Sequence, residues 1–128
     1  MKYEVRGTLL GFDEMLNVEI HKIDEMFSTM TDCENEKVTF TIVNPFELRE
    51  YSFDLPSDIK VLLDIQETSK IEIYNIVVID KNLEESTVNF LAPILVNTDN
   101  KKIAQVVLNS QKHPEFGMAE SIKSFYKE

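Results

Sequence analysis

The side chains best suited to metal or nucleophilic chemistry are few in this sequence, namely His21, Cys33 and His113. They are scattered along the chain and match none of the short ligand spacings typical of zinc sites. Cys33 lies in the acidic stretch TDCENE, where neighbouring carboxylates raise the pKa of a thiol and make it less reactive. No orienting motif accompanies a Cys–His pair. We therefore expect no metal site, no cofactor and no catalytic residue.

Carboxylates are plentiful, but their spacing does not favour acid–base catalysis. They occur as adjacent pairs, Asp13-Glu14, Asp24-Glu25 and Glu84-Glu85. Adjacent side chains on a strand point to opposite faces of the sheet, so such pairs do not converge on one substrate. The chain has only 3 glycines, which are far apart and form no phosphate-binding loop. The sequence thus favours a protein that is not an enzyme.

The charge distribution indicates what kind of partner the chain can bind. The net charge is −10, and the segment Asp13–Glu36 holds eight acidic residues against Lys22 alone. Phosphates would be repelled, which disfavours direct binding to nucleic acid. Two interpretations of the acidic segment stay open: a solvated surface, or a docking face for a basic protein.

Length and composition favour one ordinary globular domain over residues 1–128. Hydrophobic residues make up 43% of the 128 residues, and no apolar run approaches the ~18 residues of a membrane span. The N-terminal MKYEVRG lacks the apolar core of a signal peptide, and one cysteine cannot form an internal disulfide. We expect a cytoplasmic protein with no membrane contact.

The elements that would position these side chains are mostly strands. Thr87–Leu108 holds two apolar runs around the polar stretch Asn97–Lys102, which predicts a hairpin covered on both faces. Pro93 marks an edge, a bulge or a strand start there. Alternation or apolar runs predict further strands near residues 2–6, 18–21, 24–31, 38–43, 51–55 and 71–80, with a hairpin loop at 32–37.

Helices are predicted to be few. Ser57 is a candidate cap for a short helix over 58–65, and the tail after His113 has a possible terminal turn with Ile122 and Phe125 on one side. Seven to nine short strands with one or two short helices predict a mainly β fold, an antiparallel barrel or sandwich. Asn75, Asn89 and Asn97 each interrupt or end an apolar run and are expected to tie nearby backbone in place.

Four stretches, in order, carry a family resemblance: LLGF at 9–12, VNPFELREYSFDLP at 43–56, YNIVVI at 74–79 and TVNFLAPILVNTDNKKIAQVVL at 87–108. Together they resemble the flagellar assembly factor FliW family over nearly the whole chain. The resemblance implies a compact, mainly antiparallel β-barrel-like fold. It also implies binding to the translational repressor CsrA and, alternatively, to flagellin, so that flagellin synthesis follows export.

Candidate partner-binding residues follow from charge and exposure rather than from the resemblance. Acidic loops supply charge, and the turn after Asn44-Pro45 supplies apolar contact, with Phe46 either folded onto the core or exposed as an anchor. The candidates are Asp13, Glu14, Asp32, Glu34, Glu36, Pro45, Phe46, Leu48 and Asn97. Two other functions stay open: a small-ligand or enzymatic β-barrel, and an inert oligomeric scaffold.

Overall fold

Short strands dominate the computed structural model, which describes residues 2–7, 9, 16–79, 81 and 85–122. Within this described part there are nine strands, one α-helix, α1 (Ser57–Leu62), and a 3-10 turn at Pro45–Glu47. The strands are β1 (Lys2–Val5), β2 (Asn17–Lys22), β3 (Phe27–Asp32), β4 (Asn35–Val43), β5 (Ile71–Val78), β6 (Thr87–Val88), β7 (Ile94–Asn97), β8 (Lys102–Gln105) and β9 (Glu120–Ser121). The predicted mainly β fold is confirmed.

Seven of these strands close into a barrel in the order β4-β3-β2-β1-β8-β7-β5, and β5 returns to β4. The closing seam pairs Thr41 with Val77 and Val43 with Asn75. All pairings are antiparallel except that between β1 and β8, which is parallel. The short strands β6 and β9 continue the sheet beyond β5. Closure leaves the barrel strands few unpaired backbone edges.

Alternate residues of the barrel strands fill its interior. The fully buried members of this inner core are Leu9, Val18, Met30, Ile42, Ile94, Val96 and Ile103. Because side chains alternate along a strand, the next residues in sequence point outward. A barrel of this size has an interior just wide enough for such side chains.

A second core lies outside the barrel, against β5, β7 and β8. There Leu95, Ala104 and Ile73 meet residues of the long connection 44–70 and of the chain after β8. Both faces of β7 are therefore covered, and all four of its residues are buried. The prediction of a hairpin covered on both faces is confirmed, and Pro93 directly precedes the start of β7.

Two predictions in the connection 44–70 were wrong. Residues 51–55 form no strand, because the edge of β4 that could receive one is already paired with β5. Their alternation reflects packing instead, since Tyr51 is buried and Phe53 is half-buried on the outer core. Helix α1 begins at Ser57, so this residue lies inside the helix, and Pro56 at the cap position makes no side-chain bond. The helix ends early at Leu62, before Asp64 with φ of 51°.

One predicted loop and the predicted terminal turn of helix also differ from the structure. The β3–β4 loop is only Cys33-Glu34, because Asp32 and Asn35 still pair across the ladder. Beyond His113, Glu120 pairs with Val88 as part of β9 rather than starting a helix. Phe125 lies outside the described residues. Among the described helices, none has the length and apolar character needed to cross a membrane.

Candidate partner-binding surfaces

The outer face of β2, β3 and β4 is uncovered and polar. Its outward residues come into register across the strands, with Glu19 opposite Thr31 and Thr31 opposite Thr39. They line an open depression of about 420 Å³. We call this surface the acidic face, formed by Lys2, Glu19, His21, Thr31, Asp32, Cys33, Glu36 and Thr39. Carboxylates outnumber the one lysine there, so the face is suited to a basic partner.

The β3–β4 turn holds the acidic end of this face in one shape. The Asp32 carboxylate accepts a bond from the Glu34 amide at 3.0 Å, and Asn35 Oδ1 accepts one from Lys37 N at 3.2 Å. These side-chain bonds close a tight turn. Glu34 and Glu36 are exposed. The predicted residues Asp32, Glu34 and Glu36 are thus brought together, and Asp32 also acts as a support for the turn.

The other polar groups of the acidic face show no arrangement for catalysis. His21 Nε2 lies 3.4 Å from Glu19 Oε1, and the His21 side chain is exposed while that of Glu19 is half-buried. Burial, with contributions from nearby carboxylates, raises the pKa of the Cys33 thiol. A thiol with a raised pKa is a poor nucleophile. Across the residues that the structure describes, no group of three or more His, Cys, Asp or Glu side chains is placed to hold a metal ion.

A second surface lies at the far end of β4, where the 3-10 turn presents Phe46. Asn44 Oδ1 accepts a bond from Phe46 N at 3.0 Å, and Pro45 is buried beneath the turn. Leu48 is also buried, whereas Phe46 is 55% exposed. Of the three apolar candidates, Phe46 alone faces solvent, and Pro45 and Leu48 act as its support.

Beside Phe46, one end of the barrel opens as a groove that the sequence did not reveal. Two depressions of about 220 and 280 Å³ share Asn44, Glu72 and Tyr74. The first runs past Phe46, Ile71 and Ile73, and the second reaches interior-facing residues. We call their union the end groove; the second depression is lined by Tyr3, Ile20, Lys22, Asp24, Glu25, Met26, Ser28, Asn44, Glu72 and Tyr74. The one residue in the sequence that could have indicated this groove is Tyr74, which lies on the inward side of β5.

Tyr74 and Glu72 are fixed to each other at the centre of the end groove. The Tyr74 hydroxyl donates to Glu72 Oε2 at 3.0 Å. Burial, together with the charge of Glu72, raises the pKa of Tyr74 far above its usual value. The phenol therefore stays protonated and serves as a hydrogen-bond donor to the Glu72 carboxylate beside an apolar wall.

Asn97 lies at this same end of the barrel but is only 1% exposed. Its amide donates to the Leu63 carbonyl at 3.0 Å, and its Oδ1 accepts from Asp99 N at 3.1 Å. Asn75 and Asn89 likewise bond to neighbouring groups. The prediction that these asparagines tie the backbone in place is confirmed. Asn97 therefore offers no surface that a partner could contact directly.

The acidic turn and Phe46 are far apart, since they flank opposite ends of β4. That strand covers Asn35–Val43, which is roughly 27 Å at about 3.4 Å per residue. One small contact cannot include both, although a protein partner of ordinary size can. Asp13 and Glu14, the remaining candidates, lie outside the described residues.

Comparison with known proteins fits this geometry. The model of the FliW protein family matches residues 2–118, which is most of the chain. This chain belongs to the FliW family. A relative in Wolinella succinogenes named "Flagellar assembly factor FliW 2" is 44% identical to it, over 98% of this chain and 93% of the relative. A second relative in the same organism, "Flagellar assembly factor FliW 1", is 43% identical over 100% of both chains. A flagellar assembly factor FliW of Helicobacter pylori is 42% identical and covers 98% of this chain and 94% of its own.

A solved FliW structure shows the same fold. A crystal structure of the flagellar assembly factor FliW superposes with a TM-score of 0.86 over 99% of this chain and 87% of that chain, at 19% identity. The likeness at such low identity concerns the fold. It supports the FliW barrel described above, including its few short helices.

Proposed function

We propose that this chain is a cytoplasmic flagellar assembly factor that binds the repressor CsrA and, alternatively, flagellin. Free flagellin would occupy the protein and leave CsrA to repress flagellin translation. Once flagellin is exported, the protein would capture CsrA and lift the repression. The family relatives are named flagellar assembly factors, which supports the first part of the proposal.

The observation that carries the CsrA part is the uncovered acidic face. CsrA-type repressors are basic where they hold RNA, and the net charge of this chain is −10. A partner docked on Glu19 and Glu36 of the acidic face, and on Glu34 of the adjoining β3–β4 turn, would gain charge complementarity. The same negative charge, placed near the RNA-binding surface, would repel the phosphate backbone.

The flagellin part is supported by the exposed side chain of Phe46, with the half-buried Ile71 and Ile73 beside it. Terminal segments of flagellin are amphipathic and need cover before assembly. A rigidly presented Phe46, 55% exposed beside Ile71 and Ile73, is the kind of aromatic contact that dominates many interfaces. The proposal therefore uses two differently built surfaces for two chemically different partners.

The experiment is a salt titration of CsrA binding to the purified protein, measured by calorimetry. The double variant Glu34→Lys/Glu36→Lys is expected to weaken binding by about ten-fold or more at low salt, and to flatten the dependence of affinity on salt, because rim charges act through long-range attraction. An unchanged affinity and salt slope would mean that the acidic face is merely solvated.

The matched control is the double variant Asp54→Lys/Glu67→Lys. It changes net charge by the same amount at two exposed residues outside the acidic face. We expect this control to lose much less affinity than the first variant. Equal losses would show that overall charge, and not the acidic face, governs the interaction. Failure of both CsrA and flagellin to bind even at low salt would refute the proposal itself.

The alternative of a small-ligand or enzymatic barrel receives no support from the interior. The inner core positions that the structure describes are filled by buried apolar side chains such as Met30, Ile42 and Ile94. Small-molecule sites combine an apolar cavity with a few converging polar groups. The three depressions described above lie on the outside of the barrel or at its end and are open to solvent.

A further inference from the structure

We infer that the end groove binds a polypeptide segment in which an aromatic or long aliphatic side chain lies close to a lysine or arginine. The inference deepens the proposed function, on which it rests for the expectation of a polypeptide partner. The groove itself is argued from its shape, its exposed apolar residues and its charge.

The apolar part of the groove is large enough for side chains and is already ordered. Its two depressions, about 220 and 280 Å³, meet at Asn44, Glu72 and Tyr74. Met26 and Tyr74 lie half-buried along it, and Ile23, in the neighbouring β2–β3 turn, is 61% exposed. Such open depressions with shared lining residues are suited to successive side chains of one bound segment.

Phe46 is held out at the edge of this groove by the backbone. Besides the Asn44 cap, Leu48 N and Arg49 N both donate to the Pro45 carbonyl at 3.0 Å. The turn is fixed, so binding orders little that is not ordered already. An aromatic side chain that loses exposed surface on binding contributes strongly to affinity.

The charge beside the apolar wall selects a basic neighbour. Glu72 lies at the junction of the two depressions, and Asp24 and Glu25 line the second one. Lys22 Nζ lies 3.4 Å from Glu25 Oε1 and offsets that carboxylate. The Asp24 carboxylate accepts bonds from Met26 N and Phe27 N, which hold it in place without neutralising it. Asp24 and Glu72 are thus left to attract a cationic side chain of the bound segment.

The test uses two sets of probes, overlapping 15-residue peptides of flagellin on an array and a phage-displayed library of random peptides. The unmodified protein is expected to retain peptides that combine an aromatic or long aliphatic residue with a lysine or arginine within four positions. Phe46→Ala should weaken these peptides by about ten-fold. Glu72→Lys should remove the preference for basic residues and admit acidic ones.

Control variants leave the groove intact and both alter exposed residues elsewhere. Val61→Ala removes an apolar side chain that is 81% exposed on α1, and Glu67→Lys reverses a charge at an exposed residue that lines neither the end groove nor the acidic face. Both should keep peptide affinity within about two-fold of the unmodified protein. Because Phe46 and Glu72 are themselves exposed, their variants are expected to fold.

The outcomes separate the groove from the proposed function. Groove-dependent peptides from the random library, without any from flagellin, would support the groove and count against flagellin as partner. Flagellin peptides that bind Phe46→Ala and Glu72→Lys as well as they bind the unmodified protein would overturn the groove and leave the proposed function standing. Retention of no groove-dependent peptide from either set would also overturn it.

Discussion

The two halves of the barrel share one interior but have opposite exteriors. Outward from β5, β7 and β8 point Val77, Leu95 and Ala104, and these are covered by connecting chain. Outward from β2, β3 and β4 point mainly glutamate, histidine and threonine, and these stay uncovered. The boundary falls at the paired residues Phe27 and Val43, which belong to the covered side. Outward residue type decides which half the chain folds over and which half stays open to solvent.

The largest expected effect is a difference in the free energy of unfolding between substitutions on the two exteriors. Leu95→Ala should lower the free energy of unfolding by about 2–5 kcal/mol, because it deletes a fully buried side chain of the outer core. His21→Thr, its counterpart on the acidic face, should change it by less than about 0.5 kcal/mol. Urea unfolding of both variants measures the difference. Similar losses for the two would mean that the acidic face carries a packed layer of its own.

Arg49 fastens the covering chain, and its removal should have the next largest effect. Its guanidinium lies 3.3 Å from Glu120 Oε2 and 5.0 Å from the centre of the Phe116 ring. Arg49→Ala should cost about 1–2 kcal/mol, since the pair is partly buried and the stacking is lost. Arg49→Lys should recover only part of this, because a lysine lacks the planar fork. Chemical denaturation of both variants measures these free energies of unfolding. If Arg49→Lys had the full stability of the unmodified protein, the contribution of Arg49 would come from its charge alone.

Tyr51 is buried in the outer core and makes the free energy of unfolding depend on pH in the alkaline range. Its hydroxyl donates to the Phe90 carbonyl, and Asn75 Nδ2 donates to it at 3.3 Å. Tyr51→Phe should therefore cost about 1 kcal/mol at neutral pH, by loss of a buried hydrogen bond.

Burial raises the pKa of Tyr51 to about 12, above the ordinary 10.0. Since the unfolded chain loses this proton first, the contribution of Tyr51 to stability is complete below pH 10 and is lost as pH rises toward 12. Between these pH values, the free energy of unfolding should fall less steeply with pH in Tyr51→Phe than in the unmodified protein. Equal slopes would contradict the raised pKa, while Tyr74, whose pKa is also raised, leaves a residual slope in both.

The smallest expected effect concerns the stability of the acidic face itself. Glu34→Lys/Glu36→Lys should alter the free energy of unfolding by less than about 0.5 kcal/mol, since exposed charges interact weakly through water. The same variant is the one expected to weaken CsrA binding. Thermal unfolding checks the first statement, and a large loss of stability would place these residues in the folding of the β3–β4 turn rather than at an interface.

Much of the fold followed from local pattern. Two-residue alternation predicted β1, β2 and β4, the continuous apolar runs predicted the buried hairpin of β7 and β8, and Pro93 and Pro45 marked strand limits. The asparagines at positions 75, 89 and 97 were expected to bond to backbone, and they do. The alternation of apolar and polar residues around Tyr51 led to a wrong strand prediction. A segment that packs on top of a sheet can bury every second side chain, just as a strand within the sheet does.

The candidate surfaces were predictable only in part. Clustered acids in sequence gave Asp32, Glu34 and Glu36, and the Asn-Pro turn gave Phe46. Their separation along β4, the burial of Asn97 and Leu48, and the groove between Tyr74 and the β2–β3 turn were not accessible in this way. Each depends on residues far apart in sequence that meet only when the barrel closes.

The sequence by itself therefore determined most of the strands, the charge and the family, because periodicity, ionisable groups and local motifs are all properties of neighbouring residues. Which outward face is covered, and which end of the barrel opens into a groove, was decided by tertiary structure. Strand order and closure set those features, through the pairing of β4 with β5 and of β1 with β8. Such pairings join distant segments, and no local pattern encodes them.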